Sequence, residues 1–147
     1  MGYTRCGQAG CAACKFAPGR VAEGRGGVRE VHLRKADMRI PVTQALNCKS
    51  ENVLYALQCT ADGDTYLGCT GNMARDRLGQ HLGDIRNDRV DKVVAEHFCS
   101  HGGRQKTDNV SFLAFEKIIN RNPRVRFARE RMWISRVGLE NLINKIY

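Results

Sequence analysis

Several groups of side chains have the types and spacings that phosphate or metal chemistry uses. Tyr55 and Tyr66 stand on either side of Asp62-Gly63, a two-residue hairpin signal. With those two residues as the turn, Cys59 faces Tyr66 and Leu57 faces Gly68. Tyr55 shares the parity of Cys59, so both phenols leave one face of the hairpin. Tyrosines are good strand residues, and on tyrosine content alone the reading is that the pair simply packs. Arg77 and His81 lie four residues apart, on adjacent turns of one helix face. They set a fixed cation beside a proton carrier, or form a solvated helix edge. Glu130 falls among Phe127, Ile134 and Val137 at the three- and four-residue steps of a buried stripe. A carboxylate there is costly unless it binds a metal or pairs with Arg126, Arg129 or Arg131.

The cysteines add a metal signature. Cys6, Cys11 and Cys14 have x4 and x2 spacing, and a tight Cys-x-x-Cys is a half-site for Zn²⁺, which takes four ligands. Cys48 is the expected fourth ligand, brought back by an intervening hairpin. A competing set takes Cys48 and Cys59 with His97 and His101, a His-x-x-x-His pair at one helical turn. Both sets cannot use Cys48. Reduced, partly buried thiols are the alternative, above all for Cys59, Cys69 and Cys99. Seven cysteines are an odd number and no signal peptide is visible, which favours thiols or metal over a disulfide framework.

Positioning these groups requires a small α/β scaffold. Residues 53–57 are a continuous apolar run and read as a buried central strand, with residues 65–68 returning after the turn. Asn72 is the expected N-cap of a helix whose stripe is Ala74, Leu78, Leu82 and Ile85. A short helix over 93–99, a third strand over 110–116 and a helix over 125–137 after Asn122-Pro123 follow. The expectation is an antiparallel sheet of about three strands flanked by helices. Residues 1–48 form a separate cysteine-rich segment, with a low-order Gly/Arg stretch over 18–27 and a hairpin over 31–34 and 38–40. Residues 49–147 form the main domain. Of 147 residues, 24 are Lys or Arg and 15 are Asp or Glu, a net charge of +9. That balance favours a polyanionic partner, nucleic acid first. The longest apolar run is far too short for a transmembrane helix, so no membrane partner is expected.

Four of these features together resemble the GIY-YIG nucleases: Val53-Leu54-Tyr55, Tyr66-Leu67-Gly68, Arg77 with His81, and Glu130 within Arg-Glu-Arg-Met-Trp-Ile. They occur in the family's order on the expected strand, strand, helix and late helix. Val53 and Leu54 replace Gly and Ile of the first motif, and Cys69-Thr70 follows the second where an acidic residue is frequent. The upstream cysteines, Asn47-Cys-Lys-Ser-Glu-Asn-Val-Leu-Tyr55 and Val94-Ala-Glu-His-Phe98 resemble the endonuclease domain of Penelope-like retroelements more closely.

That resemblance implies a metal-dependent DNA endonuclease that nicks DNA for retroelement integration. Glu130 would ligate one Mg²⁺ (or Mn²⁺), Arg77 would hold a non-bridging phosphate oxygen, and Tyr55 would activate the water with Tyr66 as its partner. His81 would orient phosphate or share a proton. A structural Zn²⁺ would order the N-terminal segment for DNA binding. Arg121, Arg124, Arg126, Arg129, Arg131 and Arg136 surround the glutamate and would track phosphates, unless they are a solvated helix face. A reverse transcriptase of the same element would be the partner. No polymerase segment is visible, so the chain would be a fragment or a free-standing relative. Its location would be nuclear in a eukaryotic element and otherwise intracellular. The alternatives are a non-cleaving nucleic-acid-binding module on the same fold and a basic zinc adaptor for an acidic protein.

Overall fold

The computed structural model describes residues 2–18, 27–101 and 106–145. Most of the Gly/Arg stretch, residues 19–26, lies outside them. The central element is β5 (Glu51–Cys59), paired antiparallel on both sides with β6 (Thr65–Met73) and β7 (Val110–Lys117). Its apolar run is buried on both faces, as a central strand requires. Helix α1 (Ala74–Arg86) follows β6 without a loop and packs with α2 (Val93–Ser100). Tyr55 contacts Phe112 and His81 on the face that α1 covers. Helix α3 (Pro123–Val137) lies across the other face, where Trp133 meets Phe115 edge-on at 6.1 Å.

The N-terminal part is built of short pieces. Strand β1 (Gly2–Tyr3) pairs in parallel with β4 (Ala45–Leu46). The expected hairpin is present as β2 (Glu30–Leu33) and β3 (Met38–Pro41). Tyr3, Phe16, Ile40 and Leu46 join one continuous core with the main sheet.

Three local expectations are corrected. The β5–β6 turn spans more than Asp62-Gly63: Cys59 N–H bonds Asp64 O, and Asp62 Oδ1 accepts from Asp64 N–H at 2.8 Å. Tyr55 therefore faces Gly68 and Leu57 faces Tyr66, a shift of two. An even shift leaves every side chain on its face, so the two tyrosines still share one. Helix α1 is not capped by Asn72, which belongs to β6. Its first N–H groups are taken by main-chain carbonyls, Ala74 by Ser50 O and Arg75 by Cys48 O. On α3, only Val137 of the expected stripe is buried; Phe127 is 48% exposed. The Asn122 cap and Pro123 at the first turn do start that helix as the sequence suggests.

An amide side chain pairs with each outer edge of the sheet. Gln44 Nε2 donates to Lys117 O and its Oε1 accepts from Lys117 N–H at the β7 edge. Asn144 does the same with Leu67 at the β6 edge, through bonds of 2.8 and 2.9 Å. Asn144→Ala strands two buried main-chain groups and should cost about 2–4 kcal/mol in urea unfolding, against about 1 kcal/mol for the less buried Gln44→Ala.

Candidate functional site

The sharpest constellation forms around the phenol of Tyr55, which is wholly buried. Its oxygen lies 2.7 Å from His81 Nε2 and accepts from Arg77 Nε at 3.2 Å. The Tyr66 ring stands 6.4 Å from that of Tyr55 and 5.7 Å from that of His81. Gly68 makes this possible. A Cβ there would sit 2.5 Å from Tyr55 Oη and 2.9 Å from the Tyr66 ring. The glycine of the second motif is therefore the floor under the two phenols.

Burial, the leading cause, and neighbouring Tyr66 push the Tyr55 phenol well up; Arg77 pulls it down but loses. Burial and the Arg77 charge push His81 down to about 3. His81 is thus a neutral imidazole near neutral pH, and with its ring proton on Nδ1 its Nε2 accepts the Tyr55 proton. Arg77 spends Nε on Tyr55 and Nη1 on Gln80 Oε1 at 2.8 Å. Its Nη2 has no hydrogen-bond partner among the described residues. Tyr66, Arg77 and His81 line a cleft of about 290 Å³ with Asp84 and Lys92. Tyr55 lies behind this surface.

Glu130 reaches the edge of β6 from the other face of the sheet. Its carboxylate and the Arg126 guanidinium both act on the Cys69 thiol, which burial and then Glu130 push up to about 12. No other His, Cys, Asp or Glu among the described residues groups with Glu130 into a three-ligand metal site. One carboxylate suits Mg²⁺, which keeps most of its waters and takes substrate oxygens.

Two residues missed in the sequence build this edge. Asn52 is buried with φ +54, a conformation asparagine tolerates better than most residues. Its Nδ2 donates to Ile118 O and Asn120 O, and its Oδ1 accepts from Arg126 Nη1 at 2.7 Å. Gly71 leaves the space that the Arg126 guanidinium fills. The signals were an asparagine just before an apolar strand and a glycine within one. The other arginines divide. Arg129 makes a two-pronged bond to Glu116, both arms at 2.7 Å. Arg121 approaches Glu51 at 3.7 Å, and Arg136 lies over Trp133. Arg124 and Arg131 are exposed.

The ligand atoms of Cys6, Cys11, Cys14 and Cys48 all lie within 4.8 Å of one another. Three of the Sγ–Sγ distances are 3.6, 3.7 and 3.8 Å. A tetrahedron with Zn–S bonds of about 2.3 Å has edges of about 3.8 Å, so the donor set fits structural zinc. Cys59 and both histidines form a second cluster, but with Asp62 instead of Cys48. His97 and His101 Nε2 lie 3.0 and 2.7 Å from Asp62 Oδ2. The expected competition for Cys48 is thereby removed: it lies with the N-terminal cysteines, and the hairpin turn supplies the other cluster's fourth donor.

Two measurements follow. Cys48→Ser should lower bound zinc by about one equivalent by elemental analysis and lower the melting temperature, because a structural zinc site contributes folding free energy. His81 has a folded pKa below its unfolded one, so the unfolded chain binds the extra proton and stability falls as pH drops below about 6.5. Between pH 7 and 4.5 the wild type should lose roughly 2–3 kcal/mol more unfolding free energy than His81→Gln.

No protein-family model matches the chain, and no curated protein matches it in sequence. Among solved structures it is similar to the catalytic domain of homing endonuclease I-TevI. The match covers 65% of this chain and 98% of that one, with a TM-score of 0.52 and 18% identity. Likeness at that identity shows the fold, and the sheet with its flanking helices is a GIY-YIG-like α/β domain.

Proposed function

We propose that the protein is a divalent-metal-dependent DNA endonuclease that nicks phosphodiester bonds, with Tyr55, Tyr66, Arg77, His81 and Glu130 as its working groups. The observation that carries this reading is the Tyr55–Arg77–His81 triad beside Tyr66. A buried phenol fixes a guanidinium at an open cleft, next to a neutral imidazole. Arg77 binds a non-bridging oxygen of the scissile phosphate and offsets the charge that grows on it. Tyr66 borders the cleft and positions the attacking water. Tyr55 acts from behind it: its phenol oxygen orients both Arg77 and His81 at the cleft wall. This differs from the sequence-based assignment of Tyr55 as the group in direct contact with the water. Glu130 holds Mg²⁺ or Mn²⁺, which when bound polarises the phosphate and eases departure of the leaving oxygen. Zn²⁺ in the Cys6, Cys11, Cys14 and Cys48 set orders the N-terminal segment.

The retroelement reading rests on the resemblance of residues 47–55, residues 94–98 and the upstream cysteines to Penelope-like endonucleases. In that setting the nick supplies the primer end for a reverse transcriptase of the same element, in the nucleus.

The test is supercoiled plasmid incubated with zinc-loaded protein, with Mg²⁺ or chelator. Metal-dependent relaxation is expected. Arg77→Ala and Glu130→Ala should each slow it at least about 100-fold, and Tyr66→Phe should slow cutting with duplex affinity unchanged. Intact plasmid from folded, zinc-loaded wild type would overturn the nuclease reading in favour of a non-cleaving binding module.

A further inference from the structure

A second charged feature lies on the flank of α1 that faces away from the Tyr55 site. A groove of about 400 Å³ runs between the Cys-rich segment and this helix. Its apolar lining includes Phe16, Leu78 and Leu82, and Lys15, Arg75 and Arg86 stand along it. None of these three cations has an ion pair or a side-chain hydrogen bond among the described residues; Lys15 only lies over the Phe16 ring. Among the described residues, Asp76 is the one acid lining the groove. Around α3, by contrast, Arg121 just before the helix and Arg126 and Arg129 on it are engaged with Glu51, Asn52 and Glu116.

The helix periodicity sets the geometry. At 100° per residue, Arg75 and Arg86 fall on one side of the buried stripe, and Arg77 and Asp84 fall on the other. Between them lies an outer surface that carries Asp76, Gly79, Gln80 and Gly83. A Cβ at Gly79 or Gly83 would touch nothing within 4 Å, so packing inside the protein does not require either glycine. Glycine inside a helix is unfavourable relative to alanine. These two keep the helix surface low between the two basic flanks.

We propose that this groove seats the sugar–phosphate backbone of duplex DNA, so that α1 meets the phosphate to be cut on its Arg77 flank and a second run of phosphates on its Lys15–Arg75–Arg86 flank. The proposal rests on the DNA-nuclease reading. Charge complementarity selects the occupant: three cations without an ion pair among the described residues flank a shallow apolar floor against which deoxyribose can pack. A helix is about 10–12 Å across, close to the roughly 12 Å width of a major groove, so the two flanks can reach phosphates on either side of it. The zinc-ordered segment then forms one wall of the DNA site, since Cys11 and Lys15 both line the groove.

The experiment is fluorescence anisotropy of zinc-loaded full-length protein with a labelled 30-base-pair duplex over a salt series. Two variants are compared with wild type: the triple Lys15→Gln, Arg75→Gln, Arg86→Gln, and Gly79→Leu, which leaves the charge unchanged. The triple variant should bind at least tenfold more weakly and lower the salt slope by about 2–3, at about 0.9 per lost phosphate contact. Gly79→Leu should weaken binding at least fivefold with no fall in melting temperature. Wild-type affinity and slope in both variants would overturn the proposal, as would a triple variant that loses an acidic protein ligand but keeps DNA. Because binding is read apart from cutting, a wild type that binds but never nicks would sink the nuclease reading and leave this test standing.

Discussion

One buried phenol oxygen constrains most of what surrounds it. Tyr55 Oη lies in the middle of the central strand's environment, between a helix imidazole and a helix guanidinium and above a glycine. Left without partners in so dry a place, a phenol would cost several kcal/mol. It has two, and both come from α1. That requirement fixes how α1 docks on the sheet, because Arg77 and His81 must present Nε and Nε2 to the same atom. It also requires position 68 to be glycine and makes burial hold His81 neutral. The chemistry proposed for the cleft depends on this internal bond before it depends on anything at the surface.

Much of this was legible in the sequence, for reasons that differ from residue to residue. The two tyrosines share a face because side chains alternate with period two, and a register error of two residues leaves that unchanged. Arg77 and His81 share a helix face because the helical period survives any small error in the cap. Cys48 was recoverable because zinc needs a fourth ligand and a short hairpin could return the chain. The parts that were not legible depend on contacts between segments far apart in the chain. Asn72 had the right chemistry for an N-cap, but Ser50 and Cys48 carbonyls reached the helix start first. Asp62 had the role of a turn residue, and only the packing of α2 against the turn brings His97 and His101 onto its carboxylate. Asn52 and Asn144 left almost no mark, since one asparagine is too common to signal that it will satisfy three or two buried partners.

The helix α3 shows why a periodic pattern can mislead. Phe127, Glu130, Ile134 and Val137 have the spacing of a buried stripe, yet the helix meets the sheet through Trp133 and Val137 and leaves Phe127 in solvent. The helix is rich in arginine, and its packing is partly polar: Glu116 at the end of β7 takes both arms of Arg129 and the indole N–H of Trp133. The same arrangement keeps Glu130 only half-buried. A fully buried carboxylate would shed its charge or demand an internal cation; a half-buried one at a strand edge can serve a solvent-exchangeable metal.

The sheet edges complete the argument. A three-stranded sheet has two exposed strands, each a template for unwanted pairing. This chain closes one edge with Gln44 at Lys117, and part of the other with Asn144 at Leu67 and Ile143 N–H at Thr65 O. The tail thus covers the first half of β6. The second half, from Cys69 onward, is left to the side chains of α3, and Glu130 and Arg126 lean there over Cys69 and Gly71. The strand that carries the second tyrosine therefore has a structural half and an open half. The open half joins the two faces of the sheet. On the proposed nuclease reading, Glu130 on one face and Arg77 on the other would act at one phosphate across this half.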